Sequence, residues 1–158
     1  MEKTLFELLG GRPIYEKVHK VFYDKVYDNI DLKHYFHGID KDLISKQQTD
    51  FMISLMGGGM IFSGKTPNTC HTHMLITQEL FDLRSQLLED SLRECNVPAD
   101  LARQWLDIAA DSAKDLVRTD ISQCKKRFFT DEIIVPRNYK GNDRNQSLSI
   151  SYKQREKP

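Results

Sequence analysis

Apolar residues recur along this chain at intervals of three and four, the period of a helix buried on one side. Ile14, Tyr15, Val18, Phe22 and Val26 form one such stripe. They predict a helix that starts near Pro13, just after Gly10-Gly11, and runs past Val26. Asp28-Asn29-Ile30-Asp31 ends it, and residues 32–38 read as a short turn region carrying His34, Tyr35, Phe36 and His37. Ile44, Gln47, Gln48, Phe51, Met52 and Leu55 mark a second helix over residues 40–56, stopped by Gly57-Gly58-Gly59. Residues 57–67 read as a loop and residues 69–74 as a short helical piece. Thr77 is the expected N-cap of the next helix, which carries Phe81, Arg84, Leu88, Leu92 and Cys95; Leu80 three residues on rules out a capping box. After the break Val97-Pro98-Ala99-Asp100, the stripe Leu101, Trp105, Ile108, Ser112 and Leu116 predicts the last long helix. No strand-like alternation of weight precedes residue 130, so the predicted class is all-α.

Composition narrows the function classes. The chain has 158 residues, 39% hydrophobic and 29% charged, which predicts one soluble domain with a real core. The formal net charge is zero, so no overall field draws in nucleic acid or an anionic membrane. No apolar stretch approaches the ~20 residues needed to span a bilayer. Residues 1–6 lack a signal-peptide core and cleavage site. Cys70, Cys95 and Cys124 form neither a disulfide framework nor a metal-site spacing, and the expected setting is reducing and cytoplasmic. The neutral total hides an asymmetry. From residue 125 onward there are nine Lys or Arg against four Asp or Glu. The division is therefore a body over residues 1–124 and a basic, polar extension over 125–158. Within that extension residues 141–158 are expected to lack order. Ile133-Ile134-Val135-Pro136 is read as a short strand or a clip onto the body. The rest is a solvated tail or a docking arm for a partner.

Candidate chemistry starts at His71, in Pro67-Asn68-Thr69-Cys70-His71-Thr72-His73-Met74. An imidazole held between a glycine break and an amphipathic helix can offer a lone pair to a metal. His73 lies two residues on, roughly opposite on a helix, so the two cannot face one ion together. In the second helix two adjacent amides, Gln47 and Gln48, interrupt an apolar stripe. A buried amide without partners costs on the order of 1–3 kcal/mol. Either the amides face a cavity with a polar occupant, or the stripe is narrower and Gln47 is solvated. Tyr23, beside Phe22 at the stripe's margin, either presents its hydroxyl to an interior space or packs with a solvated hydroxyl. His34 and His37 read as surface residues. His73 reads as solvated or near a cofactor's edge, and Cys70 as inert packing.

Taken in order, these residues resemble a truncated hemoglobin, the two-over-two helical globins, and specifically group I. The likeness is carried by Leu8-Leu9-Gly10-Gly11, Phe22-Tyr23, Tyr35-Phe36-His37-Gly38, Gln47-Gln48 with Phe51, the glycine cluster, and Phe62-Ser63-Gly64-Lys65. His71, Ile76-Thr77, Phe81 and Val97-Pro98 complete it. It covers about the first 120 residues and leaves the extension outside. The resemblance implies a two-over-two helical sandwich holding heme b, iron protoporphyrin IX. His71 matches the residue that coordinates the iron, and Phe36 the aromatic ring that packs on the porphyrin. Tyr23, Gln47 and Gln48 match the distal positions that hydrogen-bond a gas ligand. Ile44, Phe51, Met52, Phe62, Ile76, Phe81 and Ile108 match pocket-wall positions. Some relatives place a histidine at the position of Gln47 that closes the iron; glutamine implies an open site.

One imidazole ligand leaves an iron position open for a diatomic gas, and several donors around it imply slow release of dioxygen. That disfavours delivery and favours chemistry on the bound gas. The expected activity is oxidation of nitric oxide to nitrate, or a peroxidase-type reaction. Nitric oxide, carbon monoxide and peroxide are then further ligands, a reductase is the partner, and the chain is a monomer. The alternatives are a gas sensor or oxygen storage and transport module without turnover, signalling through the basic extension, and a heme-free helical interaction domain.

Overall fold

A threonine cap and a pair of glycines set the entry into the helices. The computed structural model describes residues 2–59 and 70–140. Thr4 accepts the Glu7 amide at 3.2 Å and starts a single-turn helix, α1 (Leu5–Leu8), too short to leave a period in the sequence reading. Gly11, at φ 89°, turns the chain into α2 (Arg12–Asp28), whose first turn holds Pro13, where a missing amide hydrogen costs nothing. Asp40 accepts the Leu43 amide at 2.9 Å and opens α3 (Lys41–Leu55). At its end Gly57 sits at φ 85°, and a Cβ there would lie 2.9 Å from the Thr4 side chain. The close approach lets Phe6 donate its amide to the Met56 carbonyl at 3.1 Å, tying α1 to the end of α3. Thr77 caps α4 (Gln78–Glu94) by accepting the Leu80 amide, as expected. Asn96 at φ 59° ends it in the left-handed region. Helix α5 (Ala99–Ala113) follows Pro98 and tightens into a 3-10 turn over Lys114–Leu116, so Leu116 ends the predicted stripe outside the α-helix but still buried.

The helices pack in two pairs, α2 against α3 and α4 against α5, with α2 also lying on α4. The core between them is aromatic. Tyr15 stacks on Trp105 at 4.8 Å between centroids, and His19 meets the same indole edge-on at 5.6 Å. His19 and Thr49, both fully buried, share a 2.8 Å hydrogen bond that pins α2 to α3. Burial pushes the His19 imidazole pKa down to about 3, helped by the charge of Arg84, so the ring stays neutral. The all-α reading and the two-over-two sandwich both hold. Among the described residues no helix is long and apolar enough to cross a membrane.

Ile133-Ile134-Val135-Pro136 does clip onto the body. Ile134 pairs in parallel with Met74, and Leu75 donates its amide to the Ile134 carbonyl at 2.8 Å. Leu75, Ile121, Ile133 and Val135 form a second small core beside the helices. Residues 141–158, expected to lack order, lie outside the described residues.

Candidate functional site

Two contiguous cavities open between the helix pairs. The outer one, about 480 Å³, is bounded by α3, residues 70–74 and the C-terminal segment. The inner one, about 140 Å³, runs between α2, α3, α4 and the end of α5. Tyr35, Phe36, Ile44, Gln48, Phe51, His71 and Met74 line both, so the two form one slot. The outer volume alone falls in the ~300–1,000 Å³ range of small-molecule and cofactor sites.

His71 is half-buried on this slot and is held by its backbone. The chain returns in a helical turn at Cys70-His71. The His71 carbonyl accepts from the Met74 amide at 3.0 Å and from the Arg118 guanidinium at 3.3 Å. Arg118 also reaches the carbonyls of Leu116 and Met74, at 3.1 and 3.4 Å. Nothing in the sequence marked Arg118. Its partners lie up to 47 residues away, and no local period reports such a contact.

Tyr23 and Tyr35 both face the slot and differ in what their hydroxyls meet. Tyr35 donates to the Leu75 carbonyl at 2.7 Å. Tyr23 is 4% exposed, packs edge-on against Phe22 and Phe36, and its hydroxyl has no hydrogen-bond partner among the described residues. Tyr23 lines the inner cavity and also a surface pocket beside Glu16, Lys20 and Asp24, so its unpaired hydroxyl is available to an occupant of the slot. Burial, partly offset by the Arg84 charge, pushes its pKa up to about 12, so it is a proton donor at neutral pH.

The two amides part company. Gln48 is half-buried and lines both cavities, whereas Gln47 is exposed and reaches only the outer one. The buried face of α3 is Thr49, Met52 and Ile53, and Leu55 is 43% exposed. The predicted stripe is therefore narrower than drawn and turned toward Thr49. Ile44, Phe36, Phe51, Ile76 and Phe81 line the slot. Met52 packs in the core with Thr49 and Ile53, and Ile108 packs against that core; neither lines either cavity. For Met52 the reason is its position one helical step beyond Phe51, on the side that α2 covers. Phe62 lies outside the described residues. His37 is exposed, as expected, but His34 and His73 are buried. His34 donates its Nε2 hydrogen to the Val135 carbonyl at 2.7 Å, a contact that exists only because the C-terminal segment folds back. His73 lines the outer cavity under the same segment. Cys70 is half-buried and forms no disulfide among the described residues.

A broad apolar slot whose inner cavity carries one imidazole and one unmet hydroxyl suits a flat macrocyclic cofactor with a single donor nitrogen from the protein. His71 is the side chain on the inner cavity that could supply that donor nitrogen, and the rings of Phe36, Phe51 and Phe81 could pack on the macrocycle. The fold and the slot thus define a heme pocket of the small helical type.

The bacterial-like globin family model matches residues 4–118. The group 1 truncated hemoglobin of Tetrahymena pyriformis is 30% identical over 73% of this chain and 95% of that protein. The group 1 truncated hemoglobin of Tetrahymena thermophila is 30% identical over 72% of this chain and 94% of its own length. The structure of the Tetrahymena pyriformis truncated hemoglobin in its Fe(III) form superposes with a TM-score of 0.68 at 30% identity, covering 74% of this chain and 100% of that one. The 2/2 hemoglobin from Synechococcus sp. PCC 7002, in the cyanomet state and with covalently attached heme, gives 0.67 at 27% identity, over 73% of this chain and 98% of that one. The chain belongs to the bacterial-like globin family, among the truncated hemoglobins, and is a heme protein that binds diatomic gas such as dioxygen.

Proposed function

We propose that this protein holds dioxygen tightly and turns it against nitric oxide. In this reading His71 is the proximal ligand, and Tyr23 and Gln48 are the donors on the opposite side. The observation that carries it is the Tyr23 hydroxyl, protonated and without a hydrogen-bond partner among the described residues, on a side chain that lines the same cavity as Gln48.

Heme, when bound, supplies an iron with one open position and the electron that the reaction takes. The chain's own residues do the rest. Tyr23 donates its hydroxyl hydrogen to the gas, and Gln48 adds an amide hydrogen. Each such donor contributes roughly 1 kcal/mol or more, slowing release by about tenfold or somewhat less. Donors favour a ligand that gathers negative charge over neutral carbon monoxide. The rings of Phe22, Phe36, Phe51 and Phe81 give the inner cavity an apolar lining, which strengthens those hydrogen bonds. Gln47, exposed at the mouth, is at most a peripheral donor. Tight retention suits conversion over delivery. Nitric oxide, dioxygen and one electron give nitrate, and an external reductase returns the electron. We place this cycle in a monomer in a reducing cytoplasm, in keeping with three cysteines that form no disulfide among the described residues.

The test is to mix the oxygenated protein with nitric oxide in a stopped-flow instrument. Fast decay of the oxygenated spectrum with one nitrate per heme is expected. Slow or non-stoichiometric nitrate formation would leave storage or sensing as the function.

A further inference from the structure

Helix α4 buries Leu80 and Leu88 and, between them on the same side, carries Arg84. Its guanidinium carbon lies 5.3 Å from the centroid of the fully buried Phe22 ring. Arg84 lines the inner cavity with Tyr23, and its charge acts on both Tyr23 and His19. No carboxylate among the described residues pairs with it. Asp82, Glu89 and Asp107 line a cleft on its other side. Of these, Asp82 accepts from Gln78 at 2.8 Å and Glu89 pairs with Arg93 at 3.4 Å.

A guanidinium remains charged at any physiological pH. Arg84 is half-buried, lies against one ring and pairs with no carboxylate among the described residues, so its charge is only partly solvated and lacks a counter-charge on the cavity side. Leucine or methionine would satisfy the packing of α4 without that penalty. The stack on Phe22 offsets a part of it. What is missing is an anion, and the cavity has room for a few atoms. A planar oxyanion matches the fork of guanidinium donors, and the Tyr23 hydroxyl supplies one more hydrogen.

We propose that Arg84 and Tyr23 make the inner cavity a binding site for a small monovalent oxyanion of the size of nitrite or nitrate. The site rests on the cavity and its unpaired cation, and it holds whether or not the protein turns over nitric oxide. It also sets a charge preference: anions enter and bind in preference to neutral ligands of the same size.

The test compares two probes on the heme-loaded protein. Sodium nitrite is titrated into the ferric form, followed by the Soret shift, and carbon monoxide into the ferrous form. Arg84→Met keeps a stem over Phe22 and removes the charge. It is expected to weaken nitrite binding about tenfold or more while carbon monoxide affinity moves less than about twofold. Arg84→Lys, which keeps charge without the fork, is expected to fall between. The melting temperature of Arg84→Met should equal or exceed that of the unaltered protein, because an unpaired charge has gone. Unchanged nitrite affinity overturns the proposal, as does an equal loss for both probes, which would assign Arg84 to packing. Loss of heme in Arg84→Met but not in Arg84→Lys would assign the cation to the heme carboxylates and also overturn it. An Arg84→Met protein that fails to fold contradicts the premise that the charge has no internal partner.

Discussion

The two walls of the slot are built in opposite ways. On the His71 side, residues 72–76 are held by backbone hydrogen bonds from three later segments. Lys125 donates to Thr72 at 2.7 Å, Ile134 to His73 at 2.9 Å, and Arg118 to Ile76 at 2.8 Å. On the Tyr23 side, polar groups are left unmet: a phenol without a partner, a cation without a carboxylate, and an amide on the cavity. The contrast is what gas chemistry at a single open iron position asks for. In the proposed function the His71 donor nitrogen must not move, and its segment is clamped. The opposite wall must offer hydrogen bonds to a transient ligand, so its donors stay unsatisfied and cost stability. The clamp reaches past residue 118, where the family match ends, into Ile133-Ile134-Val135.

Lesions on the two walls should therefore fail differently. The largest effect is expected for His71→Ala. Loss of partners that merely orient a metal ligand costs roughly 10–100-fold in affinity, so loss of the ligand itself should exceed that in a hemin titration. Undiminished heme affinity would falsify the assignment of His71. Next comes Ile134→Ala, which empties a buried position in the clamp. It should cost roughly 2–5 kcal/mol, seen as a lower melting temperature, and speed heme loss to apomyoglobin. A silent outcome would mean the C-terminal segment does not brace the His71 wall.

Acid should loosen the other wall. The His19 imidazole is held neutral with a folded pKa near 3, against an ordinary 6.5. As pH falls through 6.5 the unfolded chain takes up a proton that the folded chain refuses. Stability is full above pH 6.5 and is lost progressively toward pH 3, by up to about 1.4 kcal/mol per pH unit from this group. In denaturant titrations His19→Gln should flatten that slope; an unchanged slope would place the acid sensitivity elsewhere. Tyr23→Phe should speed dioxygen release about tenfold and leave the melting temperature equal or higher, because its hydroxyl has no internal partner to lose. A clear drop in melting temperature would show that the hydroxyl serves the fold. The smallest effects are expected at the amides. Gln48→Leu should speed release a few-fold and Gln47→Leu hardly at all. The reverse order would mean that the ligand sits nearer the mouth.

Much of this was legible before any coordinates. The stripes of α2, α4 and α5 came through because each buries one face along its whole length. α3 misled because adjacent Gln47 and Gln48 stand about 100° apart, and the apolar count alone could not say which of them the cavity takes. His34 read as a surface group and His73 as solvated or near a cofactor's edge; both are buried, His73 on the outer cavity, because what covers them belongs to the C-terminal segment. Arg84 stood on a predicted stripe, and only the missing carboxylate around it turned a helix residue into a candidate site.

From the sequence came the long helices α2, α4 and α5, the all-α class and a resemblance to the truncated hemoglobins. The helices depend on periods within about 20 residues, and the resemblance on the order of short motifs along the first 120, both of which a linear reading contains. Tertiary structure decided which polar groups are satisfied. Tyr35 finds the Leu75 carbonyl 40 residues away and His34 the Val135 carbonyl 101 away, while Tyr23 and Arg84 find no hydrogen-bonding or ionic partner among the described residues. Whether a donor is spent or spare depends on what the fold brings beside it, and the chemistry of this slot lies in the spare ones.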